Sequence, residues 1–125
     1  MSAVTLDADV VIGLLDADDA HHAAAVRLFA ECDADSLLMS AATLSEVLVG
    51  PLRKGNVEAA EHLLARLDVR IVDVDPIIAR RAAVLRAEHT GLKLPDALGL
   101  ATALERDAKL QTFDARLRRI AAELG

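Results

Sequence analysis

Aromatic side chains are almost missing from this sequence: it has no tryptophan, no tyrosine, and only Phe29 and Phe113. That argues against a platform of rings on which single-stranded bases could stack. It also leaves Leu, Ala, Val and Ile to fill the interior, which suits helices packed on a buried sheet. Cysteine is nearly absent too. With Cys32 alone, no internal disulfide and no thiolate metal cluster can form, and such usage is expected in a reducing, cytosolic compartment. No apolar run approaches the roughly 18 residues needed to span a bilayer, and no charged-then-apolar leader opens the chain, so neither membrane insertion nor export is expected. At 125 residues the expectation is one domain, spanning 1–125.

The formal net charge of −6 speaks against a nucleic-acid partner only if charge is spread evenly. It is not. Basic residues gather at Arg53-Lys54, Arg80-Arg81, Arg86 and Arg116-Arg118-Arg119, while Asp16, Asp18 and Asp19 form an acidic run. Each such group is ordinarily a solvated face, so net charge by itself decides nothing.

Four short apolar runs read as strands: Ala3-Leu6, Leu37-Ser40, Val69-Val74 and Leu110-Phe113. None alternates between polar and apolar residues, as expected when helices cover both faces of a parallel sheet. Between them the spacing becomes helical. Ala60, Leu63, Leu64 and Leu67 follow the i, i+3, i+4, i+7 rule, with Asn56 as N-cap; Ala97, Leu100, Ala101 and Leu104 repeat it, as do Leu117, Ile120, Ala121 and Leu124. Pro76 and Pro95 each stand where a helix can begin, and Gly91 can terminate the helix over 76–89. Gly50-Pro51 is expected to end or bend the helix that starts near Ala41. Strands alternating with helices predict an α/β fold: a three-layer α/β/α sandwich on a mostly parallel sheet of four or five strands.

The carboxylates fall where that architecture places sites. Asp7 follows the first strand and Asp114 the last, and ligands of open α/β sheets lie outside the carboxyl ends of the strands. Asp96 lies just inside the helix opened by Pro95. Glu46 sits in the helix after the second strand, on the side shared with Thr43 and Gly50. Each has a plain structural explanation. Asp7 and Asp114 can cap helices, Asp96 can complement a helix dipole, and Glu46 can face solvent. Together they pose an electrostatic problem: two carboxylates ~4 Å apart repel by about 1 kcal/mol in water and about 4 kcal/mol at an effective dielectric of 20. Four would raise their pKa values or bind a cation. Hard oxygen ligands without His or Cys select Mg²⁺ or Mn²⁺ over Zn²⁺, and such an ion suits phosphoryl-oxygen chemistry.

The remaining chemistry-bearing residues read as structural. His21 and His22 lie close to Asp16, Asp18 and Asp19, which invites a second metal site, but they are expected to be exposed residues opening a helix that packs through Val26 and Phe29. His62 and His89 read as surface, and Cys32 as packing, since no His base pairs with it.

At Asp7-Ala8-Asp9-Val10, Thr43-Leu44-Ser45-Glu46, Asp96-Ala97-Leu98-Gly99-Leu100-Ala101-Thr102-Ala103 and Thr112-Phe113-Asp114, the sequence resembles the PIN-domain ribonucleases, and within them the VapC-type toxins of type II toxin–antitoxin pairs. The resemblance runs over essentially the whole chain. It implies a PIN-like fold and a Mg²⁺- or Mn²⁺-dependent endoribonuclease that leaves 5′-phosphate and 3′-hydroxyl ends. It further implies Asp7, Glu46, Asp96 and Asp114 as catalytic and metal-holding residues, with Thr112 supporting them through its hydroxyl. An RNA substrate, a small cognate antitoxin, a homodimer and a cytoplasmic setting are implied with it. Two departures stand out. Ala8 replaces the usual hydroxyl residue, and Asp9 replaces the usual Asn or Ser, so Asp9 is either a fifth carboxylate of the site or only a helix cap.

Two other readings fit parts of the chain. A haloacid-dehalogenase-like phosphatase would use Asp7 and Asp9 as nucleophile and acid, with Ser40 ending the second strand. The chain is short for that fold, and no paired acids follow late in it. A non-enzymatic phosphoacceptor receiver domain would use Asp73 at the end of the third strand and Thr112 at the end of the fourth, but Ala8 splits its acidic pair and no Lys-Pro follows.

Overall fold

The computed structural model describes residues 2–125. Four strands, β1 (Ala3–Leu6), β2 (Ser36–Ser40), β3 (Val69–Val72) and β4 (Lys109–Gln111), form one sheet in the order β3-β2-β1-β4. Every pairing is parallel. The helices are α1 (Ala8–Leu15), α2 (His22–Glu31), α3 (Ala41–Val47), α4 (Val49–Lys54), α5 (Val57–Arg66), α6 (Pro76–Glu88), α7 (Leu94–Glu105) and α8 (Ala115–Leu124). The α/β/α sandwich is as expected, with four strands.

Two apolar clusters, one on each face of the sheet, explain why the strands carry no alternating pattern. Val4, Leu6 and Met39 point to one side, where they meet Val10 and Val11 of α1, Val47 of α3 and Leu64 of α5. Val72 and Leu110 point to the other, against Ile78, Ala82 and Leu85 of α6, Leu100 and Ala101 of α7, and Leu117 and Ile120 of α8. With helices over both faces, strand positions of either orientation meet apolar neighbours.

Some local expectations shift. β3 and β4 end at Val72 and Gln111, so Val74, Thr112 and Phe113 lie beyond the ladder and Asp73 follows β3 rather than ending it. The helix from Ala41 breaks at Leu48, and Gly50-Pro51 lies inside the next helix rather than after it. Pro51 cannot donate to the Val47 carbonyl, and its ring clashes with that carbonyl, so the break falls at the acceptor's end of the missing bond. Gly91 does take a left-handed φ of 82°, just past the α6 cap at His89. In α2 the buried face runs through Ala25, with Leu28 and Phe29 half-buried, while Val26 is exposed. His22 is not a free surface residue: its Nδ1 lies 2.7 Å from the Gly13 carbonyl oxygen.

Two features of this architecture position the acids. The chain runs outward from β1 to β2 and β3, then returns to β4 on the other side of β1. The β1/β4 boundary is therefore a topological switch point, the place where α/β sheets open a crevice at the strand C-termini. In addition, α3 and α7 approach closely, for a Cβ added to Gly99 would lie 3.7 Å from the Thr43 hydroxyl oxygen. One turn from that approach, α3 carries Glu46 and α7 carries Asp96.

Candidate active site

At the switch point, the Asp7 N–H donates 2.9 Å to the Gln111 carbonyl, fastening the end of β1 to the end of β4. Asp7 is the N-cap residue of α1 by its backbone angles, yet its side chain makes no capping bond. It turns instead to Thr112, whose hydroxyl donates to Asp7 Oδ2 at 2.7 Å. The same hydroxyl oxygen accepts the Asp114 N–H at 3.1 Å. Asp114 caps α8, accepting the Leu117 N–H on Oδ1 at 2.9 Å. The capping explanation therefore holds for Asp114 and fails for Asp7.

Asp9 does not cap α1 either. Its Oδ2 accepts the Phe113 N–H at 3.0 Å and faces the Thr112 hydroxyl at 3.3 Å. Among the described residues its Oδ1 is buried without a partner. Asp9 thus ties the start of α1 to the turn that carries Asp114. The aromatic ring of that turn, Phe113, is stacked by His21 with ring centroids 4.8 Å apart.

The fold brings the expected acids into one electrostatic neighbourhood. Burial is the main cause that pushes the Asp7 carboxyl above its ordinary range; the Thr112 bond works against it, and Asp114 adds repulsion. Asp96 is raised by burial first and then by Asp7 and Asp114. Asp9 is raised by burial and by Asp7. Glu46 is raised by partial loss of water, then by Asp96 and Asp7. Glu46 is exposed, so water screens these effects there. Lys93 opposes the shift at both Glu46 and Asp96. Among the described residues no Lys or Arg forms an ion pair with any of these acids.

These donors suit a hard cation bound loosely. All are carboxylate oxygens, and one buried oxygen, Asp9 Oδ1, has no partner. Among the described residues no three acidic, imidazole or thiolate groups converge tightly enough to wrap one ion by themselves. Carboxylates set apart in this way suit a divalent cation that keeps waters of its own.

Residues 4–123 match the PIN domain family. The chain belongs to the PIN-domain family. Among solved PIN-type structures, VapC20 of Mycobacterium tuberculosis, described as a toxin that cleaves the sarcin–ricin loop, superposes with a TM-score of 0.79 at 22% identity, over 94% of each chain. A toxin–antitoxin complex from Klebsiella pneumoniae gives 0.78 at 26% identity, over 90% of this chain and 88% of that one. FitAcB from Neisseria gonorrhoeae gives 0.73 at 20% identity, over 95% and 93%. No curated protein matches the sequence significantly. Membership in the PIN family leaves the phosphatase and receiver readings without support.

Three participants escape a reading of the sequence alone: the role of Asp9, the His21–Phe113 stack and Lys93. Only Lys93 carries a local signal. It occupies the N-cap of α7, where the helix dipole disfavours a cation.

Proposed function

We propose that this PIN-domain protein is a Mg²⁺- or Mn²⁺-dependent endoribonuclease and the toxin of a toxin–antitoxin pair, with Asp7, Glu46, Asp96 and Asp114 as its catalytic carboxylates. One observation carries the reading: acids from β1–α1, α3, α7 and the start of α8 repel one another at the sheet's C-terminal edge, and among the described residues no Lys or Arg is paired to any of them. A set of mutually repelling carboxylates, with Asp7 buried and Asp96 half-buried, is costly unless a cation joins it. Asp7, Asp96 and Asp114 would hold that cation, directly or through water, with Glu46 completing the set. When bound, it lowers the pKa of a coordinated water and neutralises charge on a phosphate oxygen.

The chain's own residues supply orientation. Thr112 fixes the Asp7 carboxylate with its hydroxyl proton and Asp114 through its hydroxyl oxygen. Asp9 clamps the Phe113 amide and so limits how far the Asp114 turn can move. The Thr43–Gly99 approach sets the spacing of Glu46 and Asp96.

RNA as substrate is supported by the description of VapC20, and an antitoxin partner by that of the Klebsiella pneumoniae complex. A groove of about 260 Å³ runs from Glu46 past Ile12, Leu15, Val49 and Pro51, giving an apolar track beside the acids along which a partner could deliver an Arg. Exposed Ile71 on the edge strand β3, with nearby Val74 and Ile77, supports a homodimer. Such a toxin would act in the cytoplasm; among the described residues no helix is long and apolar enough to cross a membrane. The test is incubation of the purified chain with total and structured RNA in Mg²⁺ or Mn²⁺. Discrete cleavage by the wild type and none by Asp96→Asn is expected. Intact RNA under every metal condition overturns the reading.

A further inference from the structure

Beside the acids, the turn between α6 and α7 and the first turn of α8 enclose a second cleft, of about 190 Å³, lined by Gly91, Leu92, Lys93, Asp96, Asp114, Arg116 and Leu117. It is smaller than the roughly 300–1,000 Å³ of pockets that enclose small molecules. Resting on the nuclease reading above, we infer that this cleft grips the RNA strand at a phosphate next to the one cleaved, through Lys93 and Arg116.

Two cations in a cleft that also holds two carboxylates would ordinarily be their counter-ions. These are not paired. Among the described residues neither Lys93 nor Arg116 forms an ion pair with Asp96 or Asp114, although Lys93 is near enough to draw the Asp96 carboxyl downward. Among the described residues the Lys93 side chain makes no hydrogen bond at all, so its ammonium is available to a ligand. Arg116 is held in place from behind. Its Nη2 donates 2.7 Å to the Thr90 carbonyl, and its Nη1 lies 3.6 Å from where a Gly91 Cβ would stand. The guanidinium is thus anchored by one nitrogen across the α6–α7 turn, with further N–H groups free for a phosphate.

The helix dipoles give no reason for this placement. Lys93 is the N-cap of α7 and Arg116 lies in the first turn of α8, the two helix ends where a cation opposes the macrodipole. An anion held between Lys93 and Arg116 reverses that sign at both helix ends, and a cation on Asp96 and Asp114 would offset the repulsion those acids exert on it. The other basic clusters do not share this geometry. Arg81 is spent on Glu105 at 2.6 Å, Lys54 pairs with Asp16, Arg86 holds the Leu92 carbonyl and Arg118 the Thr112 carbonyl. Lys93 and Arg116 are the cations that line the same cleft as Asp96 and Asp114.

The test measures binding and cleavage separately. A fluorescent single-stranded RNA oligonucleotide of mixed sequence is titrated with wild type, Lys93→Gln, Arg116→Gln and the control Arg80→Gln, in Ca²⁺ across a salt series. Cleavage of the same RNA is followed in Mg²⁺. Lys93→Gln and Arg116→Gln should each weaken binding about tenfold and reduce the log–log salt slope by about 0.7, the amount that neutralising a single phosphate of a single strand contributes. KM should rise by the same factor, and by more than kcat falls. Lys93→Gln removes no intramolecular bond, so it answers even if Arg116→Gln loosens the turn. Unchanged affinity and salt slope in Lys93→Gln, or no RNA binding by the wild type, overturns the inference. Binding that depends on Lys93 without cleavage in any metal would leave the cleft standing and remove the nuclease reading instead.

Discussion

The Thr112 hydroxyl donates a 2.7 Å hydrogen bond to Asp7, 105 residues earlier in the chain. Both residues are buried, and the same oxygen accepts the Asp114 amide. One hydroxyl therefore sets the relative position of two acids that no local feature of the chain connects.

Removing that hydroxyl has a defined consequence. Thr112→Val keeps the shape but leaves a buried carboxylate oxygen and the Asp114 N–H without their partner, a loss of about 1–3 kcal/mol. Urea denaturation should show this loss, with cleavage reduced more than stability alone explains. Thr112→Ser, which retains the hydroxyl, should recover most of both. Equal behaviour of the Val and Ser variants would contradict the role.

Asp96→Asn should abolish cleavage, a loss of at least about 100-fold, without weakening the fold. The wild-type carboxyl is held above its ordinary range by burial and by Asp7 and Asp114, so the neutral amide relieves an unfavourable charge. Differential scanning calorimetry of the metal-free protein should give a Tm equal to or above that of the wild type. A clear fall in Tm would mean that Asp96 is a structural residue.

The pH dependence has its origin in the same shifts. Asp7, Asp9, Glu46 and Asp96 all take up protons more readily in the folded state than in the unfolded chain. Where the native state binds more protons, stability falls as pH rises. Their contribution is therefore complete below the ordinary carboxylate range, near pH 4, and is lost as pH rises through the raised values. Metal-free protein should gain in Tm on acidification from pH 7 to about 5. The gain should be smaller in Asp7→Asn.

Mg²⁺ should relieve the same repulsion without protonation. By binding only the folded state it should raise Tm at pH 7, and the increment should shrink toward pH 5 as protons compete for the same oxygens. A thermal-shift series with Mg²⁺ at the two pH values measures it. A pH-independent increment would point away from the carboxylates.

Gly13 offers a test of packing away from the acids. A Cβ there would stand 3.2 Å from both the Ala25 Cβ and the His21 carbonyl oxygen, and 3.3 Å from the His21 Cβ. Overpacking of this kind costs about 1–3 kcal/mol, against the gain of up to about 1 kcal/mol from replacing a helical glycine. Gly13→Ala should lower Tm by several degrees while preserving cleavage at lower temperature. An increase in Tm would show that α2 yields easily.

The features legible in the sequence are local ones. Apolar runs mark all four strands to within two residues, and Pro76 and Pro95 mark two helix starts, because backbone preference and the loss of an N–H act over a few neighbours. The order Asp7, Glu46, Asp96, Thr112-Phe113-Asp114 is legible for the same reason: Asp7 and Asp114 follow strands, Glu46 lies in the helix after β2, and Asp96 lies at a helix start marked by Pro95. The strand ends are overrun at Val74 and Phe113, because apolar character continues where ladder pairing has already stopped. The exposed Val26 and the bonded His22 are not legible, because which face of α2 is buried depends on where α1 lies. How the acids are used is a matter of tertiary structure. Asp114 caps its helix and Asp7 does not; Asp9 clamps a turn 104 residues away. The physical reason is that repulsion, desolvation and hydrogen bonding act through space. The parallel sheet, by setting β1 beside β4, chose which distant groups would meet.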